Sequence, residues 1–109
     1  MFPYITSGAD KQWQPGPYEG VELLILRKDE QTGGVTVLRK FKAGTTVPAH
    51  THPSANESVY VLFGEWVEDG VSYGNGSFFY VPRGEKHGPH FAKTEVISLT
   101  IFDGPLTVA

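Results

Sequence analysis

Apolar and polar residues alternate along the chain in short stretches, which glycine and proline interrupt every few positions. The 13 glycines and 8 prolines leave no apolar pattern of helical period long enough for about three turns of helix. Alternation with the two-residue period of a strand predicts β-structure at residues 21–28, 34–42, 46–50, 58–67, 71–73, 77–81 and 95–102. The pattern therefore predicts an all-β protein.

Polar segments that contain glycine separate these strands and predict tight turns. Residues 29–34 end in Gly33-Gly34, and residues 68–70 read Glu-Asp-Gly. Both segments favour hairpin connections, because glycine adopts a positive φ without steric cost. Residues 73–76 contain two further glycines and predict another reversal. Many short strands joined in this way are typical of a sandwich or a barrel, and closure into a barrel leaves no exposed edge.

The length of 109 residues accommodates one domain with a single core. Residues 1–20 predict an irregular N-terminal arm, and residues 21–109 predict the barrel itself. Two tryptophans, five tyrosines and seven phenylalanines supply enough large side chains for a core, so this is not the composition of a disordered chain.

The charge pattern and the cysteine count exclude several classes of protein. Acidic and basic residues are interspersed, with a net charge of -3 and no basic stripe, which argues against nucleic-acid binding. The absence of cysteine excludes disulfides and thiolate chemistry. No apolar run approaches the roughly twenty residues of a membrane span. The N-terminus also lacks the pattern of a secretory signal, so we expect a cytoplasmic protein.

The predicted strand 58–67 and the residue before it are apolar on both faces. One face carries Glu57 with Val59, Val61 and Phe63, and the other carries Ser58, Tyr60 and Leu62. A strand buried on both sides in so small a domain favours a homodimer, in which the outer face packs against a second subunit. Coverage by the N-terminal arm is the alternative.

Three of the four histidines and one carboxylate have the spacing of metal ligands. His50 and His52 project from the same side of an extended segment and can therefore point at one site. Glu57 returns to that site if the intervening residues reverse the chain, and His87 follows a turn at residues 82–84. Imidazole and carboxylate ligands suit iron, manganese, nickel, copper or zinc. The alternative is a set of ordinary surface-loop histidines.

Two further polar residues have more than one interpretation. Arg39 shares a strand face with apolar neighbours, and arginine is almost never buried without a partner. It could anchor an anion or carbonyl beside the metal, but we favour an ion pair with Glu22 or Glu95, or a strand whose other face points inward. For His90, an exposed loop position is favoured over an acid/base or substrate-contacting role at the rim of the site.

Two motifs of the chain resemble the two motifs of the cupin family. They read Gly44-x5-His50-x-His52-x4-Glu57-x6-Gly64 and Gly76-x5-Pro82-x-Gly84-x2-His87, and Phe91 stands where the second motif ends in asparagine. The resemblance implies a single-domain jelly-roll barrel, or double-stranded β-helix, with one metal ion in its mouth, usually in a homodimer. It implies His50, His52, Glu57 and His87 as the ligands.

Within the cupins, the chain resembles a subgroup that contains the cupin domains of zinc-binding anti-sigma factors and the acetylacetone-cleaving dioxygenases. The segments that carry this likeness are residues 20–22, 33–34, 50–53, 64–66 and 82–87. The dioxygenases of the subgroup have a three-histidine iron centre in which the motif glutamate is absent or does not coordinate. Glu57 is therefore either a metal ligand, which we favour, or a partner of the ligands.

The resemblance predicts a metal-dependent oxygenase, dioxygenase-like, that acts on a small diketone-like or phenolic molecule. We expect the substrate to lie against Phe63 and Phe79; the catalytic residues are unknown, with Glu57, Arg39 and Tyr60 as candidates. One alternative is a non-catalytic sensor of metal or a small ligand, of the anti-sigma type. Another is a metal-assisted isomerase or lyase with Glu57 as the base. A metal with a purely structural role is the least favoured interpretation.

Overall fold

The computed structural model describes residues 1–109 and confirms the predicted all-β jelly-roll architecture. It contains one 3-10 helix, Gly8–Asp10, and the strands β1 (Gln14–Pro15), β2 (Val21–Lys28), β3 (Val35–Phe41), β4 (Thr46–Val47), β5 (Glu57–Phe63), β6 (Trp66–Glu68), β7 (Val71–Tyr73), β8 (Phe78–Val81), β9 (His90–Ala92) and β10 (Val96–Phe102). Antiparallel pairing joins them into a sheet of order β1-β2-β3-β10-β5-β8 and a sheet of order β4-β9-β6-β7. No helix has the length and apolar character needed to cross a bilayer.

The predicted strand 58–67 is wrong, because the chain changes sheets at Gly64. β5 lies in the six-stranded sheet and β6 in the four-stranded sheet. Gly64 has a φ of 97°, a left-handed conformation that other residues rarely adopt. Its N–H donates a hydrogen bond of 2.9 Å to the side chain of Asn75. Strands β1 and β9 were not predicted, because stretches of two or three residues are too short for alternation to be visible.

The turn predictions have different outcomes. Residues 29–34 connect the antiparallel pair β2 and β3, and residues 68–70 connect the pair β6 and β7, so both hairpin predictions are confirmed. Asp69 and Gly70 both have a positive φ in the second of these turns. Residues 73–76 instead lead from β7 into β8 of the other sheet, so this reversal is a crossing between sheets.

The core lies between the two sheets. Its larger cluster contains Val21, Phe41, Val47, Val59, Val61, Trp66, Ala92 and Val96, and a smaller cluster contains Val37, Ala55 and Phe102. On β3 the buried residues alternate, so the face that carries Arg39 points inward. Each sheet therefore presents one inner face to a space that contains both apolar side chains and the polar residues of the motifs.

The outer face of β5 is not covered within the chain. Tyr60 and Leu62 are each 45% exposed, so the alternative interpretation, in which the N-terminal arm covers this face, is wrong. Residues 1–20 instead follow the sheet edge at β2, where β1 pairs with β2 and the Tyr4 hydroxyl donates to the carbonyl of Leu26. The division at residue 20 stays a prediction.

Phe63 points away from the interior, which corrects the expectation that it contacts the substrate. It is 50% exposed. The pairing between β5 and β10 shifts register between Ile97 and Ser98, which is where Phe63 is paired. This irregularity ends the alternation one residue before the chain leaves the sheet at Gly64.

Substitution of Gly64 by alanine tests the crossing between the sheets. A Cβ atom there would clash with the carbonyl oxygen of Glu95. We expect Gly64→Ala to lower the free energy of unfolding by about 3–5 kcal/mol, from backbone strain and the clash together. Gly70→Ala is the matched control, because Gly70 has a φ of 73° but no atom within 4 Å of an added Cβ. Gly70→Ala should lower the free energy of unfolding, measured by urea denaturation, by only about 1–2 kcal/mol. Equal losses for the two variants would contradict this account.

Candidate metal centre

Two loops at one end of the barrel are joined by backbone hydrogen bonds between candidate ligands. His50 and His87 form an isolated antiparallel bridge, in which each N–H donates to the other residue's carbonyl at 2.9 Å. The N–H of Gly84 donates to the carbonyl of His52 at 3.0 Å. The segment that carries the first two histidines is thereby fixed against the segment that carries the third.

These loops bring the three imidazole rings together. The ring centroids lie 4.3 Å apart for His50 and His87, 4.8 Å for His50 and His52, and 5.2 Å for His52 and His87. One nitrogen of each ring lies within 4.8 Å of a nitrogen of each other ring. His50 and His52 are buried, and His87 is partly exposed. The three side chains therefore surround one common point that remains accessible from the His87 side.

Hydrogen bonds to carbonyl groups fix the orientation of two of the rings. Nδ1 of His50 lies 2.7 Å from the carbonyl of Pro48, and Nδ1 of His52 lies 2.9 Å from that of Thr107. A carbonyl only accepts, so each Nδ1 carries the proton and each Nε2 presents a lone pair. Burial lowers the pKa of His50, which favours the neutral imidazole that binds metals. Such partners are typical of metal-binding histidines.

Glu57 presents one carboxylate oxygen to the histidines and the other to Arg39. Oε2 accepts a hydrogen bond of 2.7 Å from Nη2 of Arg39. Oε1 lies 3.2 Å from Nε2 of His52 and 3.4 Å from Nε2 of His87. Burial by itself raises the pKa of Glu57, but the Arg39 charge and the neighbouring histidines outweigh this and lower it to about 2. The carboxylate is therefore ionised beside the three rings.

This arrangement fits a bound cation. Oε1 of Glu57 and Nε2 of His52 are both buried without a hydrogen-bond partner, although they lie 3.2 Å apart. Because the proton of His52 is on Nδ1, two lone pairs face each other there, and a divalent ion would satisfy both. His50, His52 and His87 would hold the ion, and Glu57 has an oxygen positioned to join them.

Arg39 has a different ion-pair partner from those predicted. Glu22 and Glu95 are exposed, whereas Arg39 points inward and pairs with Glu57. Its Nε donates a further hydrogen bond of 3.1 Å to the hydroxyl of Thr100, and its guanidinium lies 5.3 Å from the ring centroid of Phe41. The prediction that the other face of β3 points inward is also wrong. Arg39 is thus a buried partner of the site carboxylate.

A cavity of about 270 Å³ opens beside His87, between the two sheets. It is lined by Arg39, Glu57, Val59, Trp66, Glu68, Asp69, Tyr73, Phe79, Tyr80, Val81, His87 and His90. Phe79 therefore occupies the position predicted for it. Tyr60 lies on the outer face of β5 and does not line the cavity, which contradicts its prediction as a candidate catalytic residue. Tyr73 lines it instead, with its ring against Phe79.

His90 is not an exposed loop histidine, and that prediction is wrong. It lies in β9 and is only 5% exposed. Its ring stacks on Trp66 at 4.0 Å between centroids and meets the edge of Phe41 at 5.3 Å. Burial, together with the charge of Arg39, lowers the pKa of His90 to about 3. The sequence signal was hidden because Gly88-Pro89 immediately before it is typical of a loop.

Asn56 and Thr107 support the site and were not found from the sequence. The side-chain oxygen of Asn56 accepts from the N–H of Arg83 at 2.8 Å, and its amide donates to Asp103 at 2.8 Å. Asn56 thus joins the His52 loop, the His87 loop and the end of β10. Thr107 contributes its carbonyl to His52 across 55 positions of sequence, a distance at which no local motif gives a signal.

Comparison with protein families gives one match that spans nearly the whole chain. The model of the ChrR Cupin-like domain matches residues 4–107. No curated protein matches the chain in sequence.

Solved structures confirm the fold. An acetylacetone dioxygenase from Acinetobacter johnsonii superimposes with a TM-score of 0.76 at 20% identity, over 97% of this chain and 76% of that one. The polyketide cyclase RemF from Streptomyces resistomycificus gives 0.76 at 19% identity, over 98% and 84%. An RmlC-like cupin protein from Ralstonia eutropha JMP134 gives 0.76 at 23% identity, over 94% and 76%. At these identities the likeness concerns the fold.

The burial of His90 predicts a pH-dependent stability. Its folded-state pKa of about 3 lies below the ordinary value of 6.5, so the unfolded chain binds more protons between these values. Stability should therefore fall as the pH drops from about 6.5 toward 3. His90→Phe keeps a flat ring beside Trp66 but removes the titration. In urea unfolding with chelator present, we expect its stability to fall less steeply than that of the wild type, by about 1 kcal/mol per pH unit. Equal slopes would contradict the buried, neutral assignment.

Proposed function

We propose that this chain, which belongs to the family of ChrR cupin-like domains, is a mononuclear metal-dependent oxygenase, dioxygenase-like, acting on a small diketone-like or phenolic molecule. The observation that carries the proposal is the juxtaposition of the three-histidine group with a cavity that reaches His87. Structural metal sites close their coordination sphere with protein ligands, whereas a catalytic or ligand-binding site leaves part of it open. A cavity beside the candidate ligands supports the second kind of site.

The side chains of the site have separable roles in this proposal. His50, His52 and His87 hold the metal ion through imidazole nitrogens, and we propose Glu57 as a fourth ligand. When bound, the ion supplies Lewis acidity and, if it is iron, one-electron redox chemistry. Arg39 keeps Glu57 ionised and oriented. Among the apolar wall residues, Phe79 excludes water from the substrate.

A non-catalytic sensor is the second candidate function. It is favoured by the match to a family named for the ChrR cupin-like domain, since the same metal group and cavity could bind a small ligand without turnover. A metal-assisted isomerase or lyase with Glu57 as the base has less support. A carboxylate whose pKa is about 2 is a weak base, and its ion pair with Arg39 holds it in place.

A homodimer is proposed from the outer face of the six-stranded sheet. Tyr60 pairs with Phe78 on β8, and Ser58 pairs with Tyr80 on the same strand. Ile101 lies opposite Ser58 on β10. Tyr60, Phe78, Tyr80 and Ile101 are all large and exposed, so they form one contiguous apolar surface. A surface of this kind is typical of an interface between subunits.

The function is tested by metal analysis followed by an activity assay. Elemental analysis of protein purified without added metal comes first, and oxygen uptake is then measured on iron-loaded protein with β-diketones and catechols. The proposal predicts stoichiometric iron and oxygen consumption with at least one of these compounds. Bound zinc without turnover of any compound would favour the sensor instead.

The ligand assignment predicts distinct effects of two substitutions on metal retention. His52→Ala removes one of three imidazoles and should lower metal affinity by more than about 100-fold. Glu57→Gln should weaken retention by about 10-fold to 100-fold if Glu57 coordinates, and by less if it only accompanies the ligands. His90→Phe is the matched control, because His90 lies outside the three-histidine group. Stoichiometric metal in His52→Ala would refute the assigned set.

The dimer is tested by replacing two exposed residues of the outer face. We expect wild-type protein to have twice the chain mass of 12.0 kDa in light scattering. Tyr60→Lys combined with Phe78→Lys should give the monomer mass, because two charges then face the partner surface. Val71→Lys changes an exposed apolar residue of the other sheet and should leave the dimer intact. A wild-type monomer would contradict the proposal.

A further inference from the structure

One wall of the cavity is formed by side chains that hold one another in place. On the paired strands β6 and β9, Glu68 lies opposite His90, and Trp66 lies two residues earlier on the same face. The rings of His90 and Trp66 stack with only 16° between their planes. Nε1 of Trp66 donates a hydrogen bond of 3.2 Å to Glu68. The wall is therefore preorganised without a bound molecule.

His90 is the buried polar ring of this wall. It is 5% exposed and lines the cavity, and its ring contacts within the protein are the stack on Trp66 and the edge of Phe41. Neither ring nitrogen of His90 is among the buried atoms that lack a partner, so the ring remains open to a hydrogen bond with an occupant of the cavity. Because burial keeps the ring neutral, His90 offers one donor and one acceptor. A hydroxyl group matches both, since it donates and accepts.

The rest of the cavity surface favours a flat molecule. Phe79 lies against Trp66 and Tyr73, with ring centroids 5.2 Å apart in each pair, so these three rings form the aromatic lining. Aromatic rings interact most favourably with other planar groups packed against their faces or edges. A volume of about 270 Å³ suits a single substituted ring better than a larger compound.

The side chains on the entrance side of the cavity, away from the candidate metal ligands, disfavour an anion. Inside it, Arg39 is already paired with Glu57, whereas Glu68 and Asp69 have no cationic partner. A recess on the outer side of His87 contains Glu68, Asp69, Glu85 and a single lysine, Lys86. A carboxylate that enters by this route meets more negative than positive charge.

From this juxtaposition we propose that His90 is a ligand-contacting residue, and that the cavity selects uncharged, planar, hydroxyl-bearing molecules over carboxylates of the same shape. The inference rests on the proposed function, since it concerns the substrate class of the same site. It goes beyond that function in assigning the selectivity to a wall that contains none of the candidate metal ligands.

Two probes that differ in one substituent test the selectivity. 4-Methylcatechol and 3,4-dihydroxybenzoate share the same pair of hydroxyls, but the second carries a carboxylate in place of the methyl group. Isothermal titration calorimetry with zinc-loaded wild-type protein should show at least about tenfold tighter binding of 4-methylcatechol at neutral pH. The affinity of each probe for free zinc, measured in the same buffer, corrects for the different acidity of their hydroxyls, so the remaining difference reports the cavity. Equal affinities, or no measurable binding of 4-methylcatechol, would overturn the inference.

Variants of His90 test the contact itself. His90→Phe keeps a stacking ring and should weaken 4-methylcatechol binding by about 3-fold to 10-fold through loss of the hydrogen bond. His90→Gln restores a donor and an acceptor, and should recover part of the affinity. If His90→Phe binds zinc normally and its affinity for 4-methylcatechol is unchanged, the inference is wrong while the proposed function stands. Metal retention by His52→Ala would contradict the proposed function but not the inference about His90. The selectivity and the effect of His90→Phe do not depend on which residues hold the ion.

Discussion

The burial of the Glu57 carboxylate is the constraint on which the rest of the structure depends. A buried carboxylate is tolerated only when opposite charge or hydrogen-bond donors surround it. Arg39, two strands away in the same sheet, donates a hydrogen bond of 2.7 Å to one oxygen. The other oxygen faces the lone pair on Nε2 of His52, and a cation bound between the two satisfies both. An inward-facing arginine on β3 and a cation site beside the histidines are thus two consequences of the same buried charge.

The fold meets this constraint by tying separate segments to one point. The bridge between His50 and His87 joins the two histidine loops, and Asn56 joins both loops to Asp103 at the end of β10. The carbonyl of Thr107 sets the tautomer of His52. These contacts are backbone or short polar side-chain contacts, so they fix ligand positions closely. The opposite wall, with His90 stacked on Trp66, belongs to the other sheet and is free to determine which molecule enters.

Much of this arrangement was predictable, and the errors have local physical causes. Alternation and turn chemistry identified β2, β7 and two hairpins, and the spacing of His50, His52 and His87 predicted that they would meet. The split at Gly64 was missed, because both halves of the segment are apolar and only a positive φ separates them. Tyr60 and Phe63 were misassigned because alternation alone cannot locate a register shift. His90 was taken for a loop residue, since its burial depends on Trp66, a partner distant in sequence.

X-ray absorption at the zinc edge of zinc-loaded protein tests the central claim most directly, because it reports the ligands around the ion itself. The account predicts three imidazole rings at about 2.0–2.1 Å, with an oxygen ligand in addition. A spectrum with mainly oxygen ligands and fewer than two imidazoles would contradict the claim that the barrel gathers these histidines around one ion.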